Sequence, residues 1–239
     1  MIISNEERKD KEIAVLMAAG LGTRMRPLTD TTPKPLIKVK GTPMIETVIQ
    51  GLKGRGIDEI YVVTGYLADQ FSYLETKYPG LTLLHNKDYA TVNNISSVKT
   101  ATDIFRGRPV FICEADLYVS DPSIFQTTLS GPCYFGKSVT GHTEDWVFDT
   151  DENGLITRVG KVGDNCHIMC GITYFTPEAS AVLADAIDAA YEKPGYEELF
   201  WDNVVNDNLD ALKMTIHPVR NEQIEELDSV EELRAFTKE

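Results

Sequence analysis

The run "IAVLMA", Ile13 to Ala18, is apolar without a break, which is the pattern of a strand covered on both faces in a parallel sheet. Beyond a Gly/Pro-rich loop, Met44, Ile45, Val48, Ile49 and Leu52 recur at helical spacing. Pro43 suits the first turn of that helix and Gly54 or Gly56 its stop. "EIYVVTGY" reads as a second strand, "LADQFSYLETKY" as a second amphipathic helix and "LTLLHN" as a third strand. "NNISSVKTATDIF" follows as a helix and "PVFICEAD" as a fourth strand. This alternation predicts an α/β fold: a Rossmann-like, mainly parallel sheet with right-handed crossovers and helices on both faces.

The second half is less regular. "CYFGKSV", "WVFDTDENGLITRVG" and "MCGITYFTP" read as strands, the second folding back at Asp151–Gly154, a favourable hairpin sequence. Helices are predicted over Pro177–Tyr191, over "YEELFWDNVVNDNLD" and over the closing "SVEELRAFTKE", with "KMTIHPV" as a strand. The sheet is therefore expected to be mixed, its extra strands extending it or forming a flap. No repeat, low-complexity tract or linker interrupts the chain, so a single domain over 1–239 is expected, with 1–11 as a flexible leader. The same organisation suits one module of a longer fusion.

Composition narrows the partners. In 239 residues the formal net charge is −14, which argues against nucleic acid or an anionic membrane surface as the main partner. The N-terminal "MIISNEERKDKE" lacks a signal-peptide core and no run approaches a membrane span. A cytoplasmic location is expected. The four cysteines are scattered, as reduced thiols are, and Cys166-His167…Cys170 lacks the second ligand pair of a zinc site.

In an open parallel sheet, ligands bind beyond the carboxyl ends of the strands. After the first strand comes "GLGTRMRPLTDTTPKPL", Gly20 to Leu36. A dinucleotide turn needs a third glycine where Met25 stands, and an acid after the second strand where the chain reads Thr64-Gly65-Tyr66. Nor is the loop a Walker sequence. Instead its glycines let backbone amides approach a ligand, while Arg24, Arg26 and Lys34 concentrate cations in an acidic chain. Guanidinium groups suit bidentate phosphate contacts and an ammonium suits a point of developing charge. After the fourth strand, Asp116 of "CEADLYVSD" is placed as a magnesium ligand would be, with Glu114 expected to turn to the opposite face.

These residues resemble a known family. The order Gly-x-Gly-Thr-Arg, Pro-Lys-Pro-Leu, Gly-x-Pro-Met-Ile, then Gly-Ile and a strand ending in Gly-Tyr is similar to the opening of the sugar-nucleotide type nucleotidyltransferases. The likeness is continuous over about the first seventy residues. It implies a nucleotide-diphospho-sugar transferase type of fold, Mg²⁺ as cofactor, Asp116 as one ligand and Asp228 as the second. Asp228 would also suit the N-cap of the final helix. The resemblance further implies Arg24 and Lys34 as catalytic residues on the triphosphate. Ala18, Gly20, Leu21, Gly22, Thr23, Gly65, Tyr66, Tyr89, Asn94 and Ser97 would line the nucleotide site.

In the second half, "NKDYATVNNISSV", "DWVF", "LFWDNVVNDNL" and "EELDSVEELRAF" resemble the CTP:phosphocholine cytidylyltransferases. That resemblance implies CTP and a small amine-bearing phosphate as substrates, with Trp146, Trp201, Asp202 and Glu226 receiving the acceptor. Aromatic faces with carboxylates attract a quaternary ammonium. Phe175 and Phe200 stand where a tryptophan and a tyrosine are expected, and a reduced cage also suits the primary ammonium of 2-aminoethylphosphonate. Phosphocholine is the expected acceptor and the phosphonate its alternative. A sugar 1-phosphate would require the Glu-Lys-Pro motif of the sugar enzymes, absent from "GKVGDN" around Lys161. A non-catalytic nucleotide sensor is the remaining alternative, although such proteins tend to lose Arg24, Lys34 or the aspartates.

Overall fold

The computed structural model describes residues 11–237; apart from Lys11, the expected flexible leader lies outside the described residues. Strand β1 (Ile13–Ala18) is central in a nine-stranded sheet. After the small β2–β3 ribbon (Lys38–Val39 and Thr42–Pro43) come α1 (Met44–Gly54), β4 (Glu59–Thr64), α2 (Tyr73–Lys77) and β5 (Leu81–His85). Next follow α3 (Ile95–Phe105), β6 (Val110–Glu114) and the short β7 (Leu117–Val119). Strands β6, β1, β4 and β5 run parallel, with β1 pairing Ile13 to Glu59 on one side and to Val110 on the other.

The unbroken apolar run of β1 is explained by two cores. Ala14, Leu16 and Ala18 pack with Ile45, Val48, Ile49 and Leu52 of α1. Ile13 and Val15 point the other way, onto Ile95, Val98, Ala101 and Phe105 of α3. Alternate side chains of one strand thus feed opposite layers, as the period of two requires.

The second half extends the same sheet. It supplies β8 (Cys133–Ser138), β9 (His142–Thr150), β10 (Ile156–Asp164) and β11 (His167–Phe175). Then come α4 (Pro177–Tyr191), α5 (Trp201–Asn206), α6 (Leu209–Leu212), β12 (Thr215–Val219), β13 (Ile224–Glu226) and α7 (Val230–Thr237). The main path reads β10-β9-β11-β6-β1-β4-β5, and β8 joins it between β11 and β12. β11 lies antiparallel to β6, which makes the sheet mixed. β9 and β10 form the expected hairpin, closed by Gly154 N–H donating to Asp151 O at 3.1 Å.

Two predicted helices break into shorter pieces. "LADQFSYLETKY" becomes a 3₁₀ turn over Ala68–Phe71 and then α2, entered from Leu67 in the left-handed region at φ 49°. "YEELFWDNVVNDNLD" divides because Phe200 is extended at ψ 147°. Asn203 Oδ1 accepts the Phe200 N–H at 2.9 Å, so α5 starts afresh at Trp201. Among the described residues no helix is long and apolar enough to cross a membrane.

Candidate active site

The loop after β1 is bent back by Gly22, whose φ of 61° lies in the left-handed region. A Cβ there would meet Lys34 Cβ and Thr29 Cγ2, each at 3.0 Å. Thr29 Oγ1 donates to Gly22 O at 2.8 Å, and Tyr66 Oη donates to Thr29 O at 2.8 Å. These contacts return the chain so that Lys34 faces the end of β6. Pro33 and Pro35 restrict the backbone on either side of it, and Ile37 N–H donates to Lys34 O at 3.1 Å.

Lys34 Nζ lies 2.5 Å from Asp116 Oδ2 and 2.6 Å from Asp228 Oδ1. Arg24 Nη1 holds the other Asp228 oxygen at 2.6 Å. Burial by itself would lower the Lys34 pKa; the Asp116 and Asp228 carboxylates outweigh it and hold the ammonium above the ordinary lysine range. Asp116 follows directly from β6. Asp228 arrives from the far end of the sequence because β13 pairs antiparallel with β7, setting Glu226 opposite Leu117. Two carboxylates therefore converge on one cationic point. No group of three or more His, Cys, Asp or Glu among the described residues forms a protein cage for a metal. Two hard oxygen donors, completed by substrate phosphates, are the donor set suited to Mg²⁺.

A cavity of about 450 Å³ opens beside this pair. Ala18, Gly20, Leu21, Gly22, Thr23, Arg24 and Lys34 line it together with Tyr89, Asn94, Ser97, Asp116, Glu226 and Asp228. A larger cavity of about 1250 Å³ carries Trp146, Phe200 and Asp202. Arg24, Asn94, Glu114, Glu226 and Asp228 line both and form the junction between them. Asp202 is buried at 3% exposure, with Tyr134 Oη donating to its Oδ1 at 2.9 Å. Burial pushes its carboxyl up to about 7, against the pull of the Tyr134 hydroxyl. Glu226 is exposed, yet the protein packed around it, together with the Asp116 and Asp228 charges, raises its carboxyl to about 7.

Several expectations need correction. Trp201 does not reach either cavity: at 3% exposure it packs in the core, 6.0 Å from the Tyr134 ring and 6.3 Å from Phe175. Its backbone N–H instead donates to Asn94 Oδ1 at 3.0 Å, which ties α5 to the start of α3. Gly65 and Tyr66 do not line the smaller cavity. A Cβ at Gly65 would lie 2.5 Å from the Tyr89 ring, so this glycine lets Tyr89 pack down, while Tyr66 braces Thr29. Glu114 does not turn away: β6 ends at it, the chain bends through Ala115 and Asp116, and both acids line the same cavity. Asp228 is not the cap of α7. Ser229 Oγ accepts the Glu232 N–H at 3.2 Å and Glu232 Oε2 accepts from Ser229 N–H at 3.1 Å, a capping box that leaves the Asp228 carboxylate to the cations. Arg26 points outward to Asp30, 3.3 Å away.

Asn86, Asn93 and Ser96 were not anticipated in the lining of the smaller cavity. Asn86 Nδ2 donates to Ser96 Oγ at 2.8 Å and Ser97 Oγ at 3.3 Å. Its place directly after β5 was the available signal, because strand ends are where such sheets bind ligands.

A family model described as MobA-like NTP transferase domain matches residues 14–134. A 2-aminoethylphosphonate cytidylyltransferase of Lancefieldella rimae is 53% identical over 227 residues, covering 95% of this chain and 92% of that protein. A choline-phosphate cytidylyltransferase of Streptococcus pneumoniae is 32% identical, covering 92% and 95%. The solved structure of the CTP:phosphocholine cytidylyltransferase from Streptococcus pneumoniae superposes with a TM-score of 0.87 at 31% identity, over 95% of this chain and 98% of that one. A putative glucose-1-phosphate thymidylyltransferase from Bacillus anthracis, at 18% identity and TM-score 0.77, shares the fold, covering 95% and 94%.

Proposed function

This chain belongs to the MobA-like NTP transferase family, among its cytidylyltransferases, and on that premise we propose that it transfers CMP from CTP to 2-aminoethylphosphonate, releasing pyrophosphate. The observation that carries the choice of acceptor is the 53% identity, over nearly the whole chain, to a protein bearing that activity in its name. The phosphonate therefore takes precedence over phosphocholine, which the motifs alone favoured. Both acceptors pair an anionic oxygen with an amine two carbons away.

In the proposed reaction a phosphonate oxygen attacks the α-phosphorus of CTP. The new P–O bond forms as the bond to the β-phosphate breaks, and the electron pair leaves on pyrophosphate. That oxygen is already ionised, so no general base is needed and catalysis reduces to alignment and charge neutralisation. The first cavity takes the nucleotide, with the open backbone around Gly20 and Gly22 against the phosphates and Tyr89, Asn94 and Ser97 toward the base. Arg24 serves the β- and γ-phosphates, and Lys34 the α-phosphate or the incoming phosphonate. Asp116 and Asp228 would hold Mg²⁺, which when bound neutralises charge on the phosphoryl oxygens. The larger cavity takes the acceptor, with Asp202 and Glu226 toward its amine and Trp146 beside them.

The test is pyrophosphate release across ATP, GTP, UTP and CTP with 2-aminoethylphosphonate, phosphocholine and glucose 1-phosphate. Turnover is expected with CTP, highest with the phosphonate. Activity confined to the sugar phosphate would overturn the proposal.

A further inference from the structure

Trp146 and Phe200 meet edge to face in the wall of the larger cavity, with ring centroids 5.5 Å apart. A cation already flanks both rings: Lys161 Nζ is 5.8 Å from the Trp146 centroid and 5.9 Å from that of Phe200. Lys161 stands opposite Trp146 in the β9–β10 ladder, and the register shifts immediately after it. At this irregularity Val162 adopts a φ of 70°, a costly conformation for a β-branched residue. Arg158 holds the distorted backbone in place. Its guanidinium donates to Lys161 O and Val162 O, each at 3.2 Å, and grips Asp149 at 2.5 and 3.1 Å.

We propose that Lys161 is a specificity-determining residue: by seating its own ammonium on the Trp146–Phe200 pair, it denies that pair to a quaternary ammonium and leaves the acceptor amine to the carboxylates. This inference rests on the proposed amine-bearing acceptor and deepens it. A trimethylammonium group has no N–H, so its recognition depends on aromatic faces. A primary ammonium has three donors and is satisfied by carboxylate oxygens. Glu144, Asp145 and Asp202 line the same cavity. A ring pair already bearing one cation repels a second, whereas the exposed Glu144 and Asp145 carboxylates of the same wall can accept from a primary amine. Selectivity here comes from an added repulsive element as much as from an attractive one.

The test compares the wild type with Lys161→Ala, which vacates the rings, and Lys161→Arg, which keeps a cation there. Tetramethylammonium is titrated while tryptophan fluorescence is followed, and kcat/KM is measured with 2-aminoethylphosphonate and phosphocholine. Lys161→Ala is expected to show a saturable fluorescence change absent from wild type and Lys161→Arg. Its kcat/KM for phosphocholine should rise about tenfold or more, and adding Trp146→Ala should remove both gains. No rise with phosphocholine and no response to tetramethylammonium in Lys161→Ala would overturn the inference, as would equal loss of both acceptors, which would make Lys161 a clamp on their shared anion. If the wild type turned over no amine-bearing acceptor, the proposed function would fail, while the fluorescence titration would still decide whether Lys161 occludes the ring pair.

Discussion

Glu226 lies opposite Leu117 across the β7–β13 ladder, and this pairing carries the C-terminal carboxylates to the end of β6. Asp116 and Asp228, 112 positions apart in the chain, thereby close on the single ammonium of Lys34.

Replacing either carboxylate tests that convergence. Asp116→Asn and Asp228→Asn should each lower kcat on the order of 100-fold or more, as loss of a charge-stabilising group does, with an unchanged far-UV circular dichroism spectrum. Isothermal titration with Mn²⁺ and CTP together should show weaker metal binding in both. Metal binding and turnover equal to wild type in either variant would remove that aspartate from the site.

Gly22 bends the loop after β1. Gly22→Ala should cost about 1–2 kcal/mol from the left-handed backbone alone, and the added methyl would crowd Lys34 and Thr29 at 3.0 Å. Denaturant unfolding reads the stability loss, and a raised KM for CTP reads the displaced loop. A variant with native stability and native KM would show that the loop tolerates a side chain there.

The two tryptophans should separate cleanly. Trp201→Ala removes a buried core side chain and should cost about 3–5 kcal/mol, seen as a lowered Tm. Trp146→Ala, at the cavity wall, should act chiefly on the KM for the acceptor and much less on Tm. The reverse pattern would contradict the placement of Trp201 between Tyr134 and Phe175.

Asp202 makes stability depend on pH. Because burial raises its carboxyl to about 7, between the ordinary aspartate range and pH 7 the folded chain keeps a proton that the unfolded chain has released. Stability contributed at this position therefore falls as pH rises through that window and levels off above it. Asp202→Asn should lose this slope, gaining on the order of 2 kcal/mol relative to wild type between pH 4.5 and 8. Urea unfolding at several pH values measures it; parallel profiles for the two proteins would refute it.

Much of this is legible in the sequence. The apolar run of β1, the periodic spacing of α1 and the turn at Asp151–Gly154 are local signals, and local signals read correctly. The Gly22, Arg24 and Lys34 positions in the loop after β1 were legible for the same reason: backbone freedom and charge belong to residue types. Trp201 was given to the acceptor by the resemblance alone; an aromatic on an amphipathic helix more often packs inward, and that local signal agrees with its buried place. Glu114 was misread against the period-two rule, under which residues two apart share a face; the chain in fact bends directly after it.

By its sequence alone the chain determined a parallel α/β core, a cation-rich loop after the first strand and an acid at the end of the fourth strand. Each depends on neighbours within a few residues. Only the tertiary structure decided that Ser229, and not Asp228, caps the last helix, freeing Asp228 to meet Asp116 and Lys34. Only it placed Lys161 on the rings of Trp146 and Phe200. The physical reason is the same in both cases. These contacts join distant segments through strand pairing, and a pairing register is settled by the whole sheet rather than by the residues that end up touching.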